Sequence, residues 1–370
     1  MKSKTVCSPS NNNKLRVIFE IANNHQGSQK HFETILNDIL KAIDGYRELI
    51  EFAVKFQFRD IPTFIDETIN EKSNKHIKRF RETTLSDKEW QNIINLVKDN
   101  NLVSIVTPFD EQSVKKALSF GVDEFKVASC SSTEWTLIEK VIHTDKPITI
   151  STGGRNLSEV DKIYSYFAHR IPNKFTIMHC CGIYPAEPVD LNLSTISKFK
   201  SRYPLAKIGY SGHESPSDHF ISSMAVTLGA ISLERHIGKP DSNNDIYLNK
   251  YSIDSEFIPD WLKMIKHTLI SLGTSKRSDY RNSSEIDSLL TLQRGVFLND
   301  DFEKGSVIDY KKCKFKFPIQ EKQISASEIS SSDLIFIAKN DLKRGQRLLD
   351  NMVLRSNTKK SKLINYVHKI

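Results

Sequence analysis

Short runs of β-branched and aromatic residues recur along the chain, each followed by a longer stretch with apolar positions three and four apart. The runs are VIFEIAN (17–23), FAVKFQ (52–57), LVSIVTPF (102–109), EFKVAS (124–129), PITIST (147–152), FTIMHC (175–180), KIGYSG (207–212) and ISLERHI (231–237). Their length and composition predict strands. The stretches 30–49, 87–100, 111–119, 133–143, 156–169, 190–202, 216–228 and 255–272 predict helices. In the first, Ile35, Leu36, Ile39, Leu40 and Ile43 fall on one face. Helix starts are visible at Ser86-Asp87 and at Asn156 or Ser158.

Eight alternating strand and helix units within about 260 residues predict a (β/α)8 barrel. The competing doubly wound sheet calls for fewer strands and a Gly-rich phosphate turn after the first, and IANNHQGS lacks GxGxxG. The stretch 61–86 exceeds a plain connection and is expected as a lid or wall at the barrel mouth. The texture changes after residue 273. GTSKRSDYRNSSE (273–285) reads as a linker, and DDFEKGSVIDYKKCKF (300–315) is echoed by NDLKRGQRLLDNMVLR (340–355). The expected organisation is a barrel over 15–273, a linker over 274–290 and a small β-rich domain over 291–356.

Composition narrows the function classes. An apolar fraction of 38% supports a real core, and 53 basic against 45 acidic residues give a net charge of +8. The basic residues are dispersed and no nucleic-acid-binding signature appears, so a small anionic substrate suits the excess better than nucleic acid. Lys359, Lys360 and Lys362 read as a solvated tail. The five cysteines (Cys7, Cys130, Cys180, Cys181, Cys313) include no CxxC, which points to reduced thiols in a cytoplasm. No stretch approaches the roughly 18 apolar residues of a membrane span, and residues 1–13 read as a polar leader.

In such a barrel, chemistry gathers at the C-terminal strand ends. Glu20, Lys55, Gln57, Thr107, Phe109, Lys126, Ser129, Ser151, Thr152, His179, Ser211, His213, Glu234 and His236 all fall there. Lys55 and Lys126 lie between apolar neighbours, a costly placement without an anionic partner. With the hydroxyls around them they suit a phosphate plus a carboxylate. His213 and His236, on consecutive strands, suit a divalent transition metal that keeps open positions. Their 23-residue spacing is one βα unit, so spacing alone does not establish the pair, and His179 and Cys181 are rival ligands.

The motif order resembles the sialic acid synthase family, the synthases of N-acetylneuraminate, legionaminate and pseudaminate. FEIANNHQGS, AVKFQ, TPFD, FKVAS, KPITISTGG, HCCGIYP, GYSGH and LERHI follow in family order, and residues 291–356 resemble its antifreeze-like (SAF) domain. The resemblance implies condensation of phosphoenolpyruvate with an open-chain sugar aldehyde, giving a nine-carbon 2-keto-3-deoxy acid and phosphate for surface-glycan synthesis. It implies that Lys55, Thr107, Lys126, Ser129, Ser151 and Ser211 hold phosphoenolpyruvate. It implies that His213 and His236 hold the metal, Mn2+ before Mg2+ or Co2+, and that Glu20 lies near the reacting carbons. Gln57, Phe109, Tyr184 and Asp245 fall at sugar-side positions. Arg294 matches a residue that reaches the sugar in a partner subunit, which implies a domain-swapped homodimer. The chain departs from the family at Cys130-Ser131, where Gly-Glu is common, at Gly182 for Asn, and at Gly212 for Asp. These departures leave the acceptor open among amino sugars, diamino sugars and non-acetylated hexoses. A phosphorylated sugar is an alternative, with Lys78, Arg79 and Arg81 as its basic pocket. A catalytically degenerate barrel that binds glycans is another.

Overall fold

The computed structural model describes residues 14–69, 74–273 and 282–357. Cys7, the leader and the Lys359–Lys362 run lie outside them, as do part of the expected linker and residues 70–73 of the expected lid. The chain divides into two compact units, Met1–Thr274 and Ser275–Ile370.

In the first unit eight parallel strands pair in chain order. They are β1 (Leu15–Ala22), β2 (Ile50–Phe58), β3 (Val103–Pro108), β4 (Glu124–Val127), β5 (Ile148–Ser151), β6 (Phe175–Cys180), β7 (Lys207–Gly212) and β8 (Ser232–Gly238). β8 pairs back onto β1, from Arg16↔Ser232 to Glu20↔His236, so the sheet closes into a (β/α)8 barrel and the doubly wound alternative falls away. Every strand the pattern predicts is present.

The helices also follow the pattern, and their ends have local causes. Helix Gln29–Ile43 stops at Asp44-Gly45, where Gly45 takes a φ of 79° that favours glycine. The stretch predicted as helix 190–202 begins only at Ser194, because Asn192 takes a left-handed φ of 47°. The stretch predicted from 216 starts at Phe220. Capping boxes Ser86–Glu89 and Asn156–Glu159 start helices Asp87–Asp99 and Leu157–Arg170, so Asn156 rather than Ser158 is the cap. The expected lid contains helices Ile61–Phe64 and Lys75–Glu82.

Strand periodicity divides the barrel into two environments. Outward residues such as Val17, Phe19, Val54, Phe56, Phe125, Ile150, Ile177 and Leu233 join the helices in the main core. Inward residues Ile18, Ala53, Ile105 and Met178 form a small apolar floor. Two positions further along the same inward faces come Glu20, Lys55 and Thr107. The alternation that builds the floor therefore delivers polar side chains above it.

The second unit has a separate core that includes Val296, Phe302, Ile308, Phe336, Leu342 and Leu348. Its strands are β9 (Gly295–Leu298), β10 (Cys313–Lys316), β11 (Leu334–Ala338) and β12 (Val353–Asn357). The sequence echo is a reciprocal pairing of two like turns. Gly305 N donates to Ala338 O at 2.8 Å, and its counterpart Gly345 N donates to Leu298 O at 2.8 Å. Asp301 Oδ1 accepts from Arg344 N and Asp341 Oδ1 from Lys304 N, both at 2.8 Å. Within the expected linker, Ser283–Thr291 is a helix capped by Asn282. The cysteines among the described residues are free thiols, and no helix among them is long and apolar enough to cross a membrane.

Candidate active site

The polar layer above the barrel floor is an ion-pair cluster closed by strand register. Glu20 on β1 is the pairing partner of Lys55 on β2 and of His236 on β8. Lys55 Nζ contacts Glu20 and lies 2.8 Å from Glu234 Oε1. Lys126 Nζ lies 2.8 Å from Glu234 Oε2, and Ser211 Oγ donates to Glu234 Oε1 at 2.8 Å. All five side chains are buried. Glu234 thus bridges the two lysines and is the anionic partner their burial requires. The pair holds its carboxyl well below the usual carboxylate range against desolvation. Burial lowers Lys55 to about 7, with Glu234 opposing the shift. Lys55 is therefore poised between its two states near neutral pH, and an entering anion favours the charged one.

Two groups in this layer have unused hydrogen-bonding capacity. Thr107 Oγ1 is buried without a partner, and so is Glu20 Oε1, while Glu20 Oε2 meets the Lys55 ammonium. Buried polar atoms in that state are costly unless a ligand completes them. Ser151 is buried at the end of β5, and Ser129 Oγ accepts from Gly153 N at 3.0 Å, tying the β4 and β5 ends together.

One residue pair higher stand His213 and His236, ring centroids 5.3 Å apart and tilted by 49°. His213 Nδ1 donates to Cys181 O at 2.8 Å, which leaves the Nε2 lone pair free. Burial lowers His213 to about 4 and holds His236 well below the ordinary imidazole value, so both rings are neutral at physiological pH. With a metal–nitrogen bond of about 2.1 Å, rings sharing one ion have centroids no more than about 6.4 Å apart, and this pair satisfies that limit. Among the described residues no group of three or more His, Cys, Asp or Glu forms a metal cluster. The fit is therefore a two-imidazole site whose remaining positions fall to water and substrate oxygens. Of the rival ligands, His179 faces outward with Nε2 on Leu191 O at 2.6 Å, and Cys181 offers its backbone carbonyl to His213.

Tyr184 stacks over His213 at 4.1 Å, and Tyr251 packs on His236 at 5.1 Å. Gln57 and Phe109 end β2 and β3 at the mouth, both in contact with Arg59. Asp245 is exposed in the turn after Ser242–Asn244 with a φ of 53° and makes none of the contacts that join the others. Arg294 belongs to the second unit, its guanidinium 5.8 Å from the Phe315 ring. The sequence names Glu234 among the strand-end residues without showing it as the lysines' partner, and does not single out Tyr251, which packs on both histidines. Glu234 carried a signal, since it shares the inward face of His236.

The family model that describes the NeuB family matches residues 51–277. The chain belongs to the NeuB family. It is 25% identical over 292 residues to the N,N'-diacetyllegionaminic acid synthase of Legionella pneumophila, covering 75% of this chain and 80% of that protein. It is 29% identical over 230 residues to the N-acetylneuraminate-9-phosphate synthase of Drosophila melanogaster, covering 60% of this chain and 59% of that longer protein. Among solved structures, a candidate spore coat polysaccharide biosynthesis protein E of Chromobacterium violaceum superposes with a TM-score of 0.83 at 33% identity, covering 92% of this chain and all of that one.

At Gly212, where the resemblance leads one to expect Asp, the structure holds a local replacement. A Cβ at Gly212 would meet the Glu214 carboxylate at 2.4 and 2.8 Å, so an acid two residues along fills that space. Glu214 accepts from Tyr210 Oη at 2.8 Å and from Arg235 Nη1 at 2.6 Å, and Arg235 is the register partner of Gly212. The fully buried pair thereby fastens β7 to β8 directly behind the two histidines. Gly212→Ala is expected to cost roughly 1–3 kcal/mol by overpacking and much less once Glu214 is also alanine. Urea midpoints of the four proteins in that cycle measure it, and additive costs would contradict the overlap. At Gly182 a side chain would meet open space.

Proposed function

We propose that the barrel condenses phosphoenolpyruvate with an open-chain hexosamine-type aldehyde, giving a nine-carbon 2-keto-3-deoxy acid and phosphate for surface-glycan synthesis. The observation that carries this reading is the Lys55–Glu234–Lys126 bridge with Ser211, buried directly beneath the histidine pair. Ammonium groups and hydroxyls suit the donor's phosphate and carboxylate, and neutral imidazoles suit a metal facing the acceptor. Family membership and the synthases it includes support the same chemistry.

In this mechanism Lys55 and Lys126, with Thr107, Ser129, Ser151 and Ser211, hold and align the donor. His213 and His236 would hold a divalent metal, Mn2+ in the first instance, which when bound would supply polarisation of the aldehyde oxygen. The enol carbon of the donor forms the new carbon–carbon bond, and positive charge develops at the carbon bearing phosphate. Glu20, with Oε1 free of a hydrogen-bond donor and Oε2 on Lys55, stabilises that charge and orients the attacking water. Water adds to the same carbon, the carbon–oxygen bond to phosphate breaks, and the keto group forms. Gln57, Phe109 and Tyr184 line the acceptor side, and Asp245 and Arg294 are assigned to it by family resemblance. The second unit is read as the SAF domain, contributed to a partner's barrel in a homodimer of the cytoplasm.

A phosphate-release screen with phosphoenolpyruvate, Mn2+ and a panel of hexosamines, diamino sugars and their phosphates tests the reading. The expected result is phosphate release only with an aldehyde present, plus a keto acid with the mass of both substrates and water less phosphate. Release independent of the sugar, or none with any sugar, would overturn it.

A further inference from the structure

Alternation carries the inward face of β2 from Ala53 through Lys55 and Gln57 to Arg59, one residue past the strand end. β3 runs alongside in register, with Gln57 paired to Thr107 and Phe109 N donating to Phe58 O at 3.1 Å. Gln57 therefore stands one inward position above Lys55 and beside Thr107, the buried hydroxyl without a partner. The Arg59 guanidinium carbon lies 3.8 Å from the ring centroid of Phe109 and 3.9 Å from that of Phe80, on helix Lys75–Glu82.

Rings packed on its plane leave a guanidinium only the N–H edge for hydrogen bonds. Among the described residues that edge meets one acceptor, Gln57 Oε1, to which Nη2 donates at 2.9 Å. The nearby acids are engaged elsewhere. Asp110 accepts from Ser113 N, Ser113 Oγ and Asp60 N. Asp60 accepts from Thr63 and pairs with Lys116 at 3.2 Å.

The consequence falls on Gln57. A carboxamide has one accepting end and one donating end, whereas a guanidinium only donates. Arg59 therefore takes the oxygen. The other end, Nε2 with its two N–H groups, has no hydrogen-bond partner among the described residues. Gln57 is half-buried at the mouth, so what it keeps for a ligand is a pair of donors. Without Arg59 the amide could present either end, and a ligand would have to order it on arrival.

We propose that Arg59 is a positioning residue for the acceptor: it holds the Gln57 amide so that the N–H groups, and not the oxygen, meet an oxygen lone pair of the incoming sugar. The proposal rests on the condensation reading and deepens it by stating how the acceptor side is oriented. Arg59 acts through Gln57 and not on the reacting atoms.

The test is a double-mutant cycle on the full chain with Mn2+, phosphoenolpyruvate and each aldehyde of the hexosamine and diamino-sugar panel that gives product. Arg59→Met keeps an apolar side chain against the two rings. It should raise the acceptor KM about tenfold and leave the donor KM unmoved, the worth of one charge-assisted hydrogen bond. Arg59→Lys should recover most of that loss. Gln57→Ala should lose a similar amount, and adding Arg59→Met to it should change the acceptor KM by less than about twofold. Losses that multiply in the double variant would reduce Arg59 to a clip for the lid helix and overturn the proposal. Gln57→Glu keeps an oxygen for Arg59 but has no N–H groups, so it should be as poor as Gln57→Ala. A wild-type acceptor KM there would overturn the orientation. A second readout needs no turnover. In 1H–15N spectra the Gln57 side-chain signal, identified by its absence in Gln57→Ala, should shift in Arg59→Met and hold its place in Arg59→Lys. A signal indifferent to Arg59→Met would overturn the amide contact. No product with any aldehyde would sink the condensation reading and the acceptor role with it, and the side-chain signal tells that failure from a failure of the contact.

Discussion

His213→Ala and His236→Ala should each lower turnover by about three orders of magnitude while the melting temperature stays within a few degrees. The rate effect follows from placing the reacting aldehyde against these rings, where polarisation of a carbonyl is worth several kcal/mol, each 1.36 of which is tenfold in rate. The small stability effect follows from their position. They top the polar layer and lie above the apolar floor of Ile18, Ala53, Ile105 and Met178. His213 makes one backbone hydrogen bond, to Cys181, and its loss is modest. Steady-state rates and circular dichroism melts check both halves. Near wild-type rates in either variant would remove the histidine pair from the chemistry.

Glu234→Leu should behave in the opposite way, losing stability as well as activity. It removes the carboxylate that both lysines share, leaving Lys55 with Glu20 alone and Lys126 with no carboxylate partner among the described residues. Breaking a buried pair in this manner costs about 3–5 kcal/mol. The cost should depend on pH with a definite sign. Burial already lowers Lys55 from 10.5 to about 7, and losing Glu234 removes the largest opposing influence. The folded value in the variant then falls below about 7, so its unfolded chain binds more protons than the folded one from below pH 7 up to 10.5 and its stability should rise with pH across that window, the part below 7 being what the wild type lacks. Urea midpoints at pH 6 and pH 9 check this. A variant as stable as the wild type at pH 6, or one indifferent to pH, would contradict the assigned ion pairs.

The barrel was legible because its two periodicities are local. Alternation along each strand and three-to-four spacing in each helix are written in consecutive residues, and so was the echo between Asp301–Gly305 and Asp341–Gly345. The helix ends that differed, at Gly45 and Asn192, turn on single left-handed residues inside otherwise helical patterns. Within the site, the burial of Lys55 and Lys126 was visible from their apolar neighbours. Their partner was not, because Glu234 meets them only when β8 closes on β1, across 179 and 108 residues. Glu214 was hidden for a related reason. Gly212 looks like a lost acid until the β7–β8 register sets Arg235 beside it and the next acid along turns back into the gap. Arg59 is not singled out by the sequence, because Phe80 and Phe109, which pack on its guanidinium, come from two other elements.

The most direct measurement of the account uses phosphoenolpyruvate labelled with 18O in the oxygen that bridges carbon and phosphorus. It is turned over with Mn2+ and whichever aldehyde the screen identifies. Attack of water on the donor carbon beside Glu20, followed by breakage of the carbon–oxygen bond, places the label in inorganic phosphate and none in the keto acid. Label retained in the keto acid would mean that the phosphorus–oxygen bond breaks instead, and the arrangement of Glu20, the two lysines and the paired histidines would have been assigned the wrong reaction.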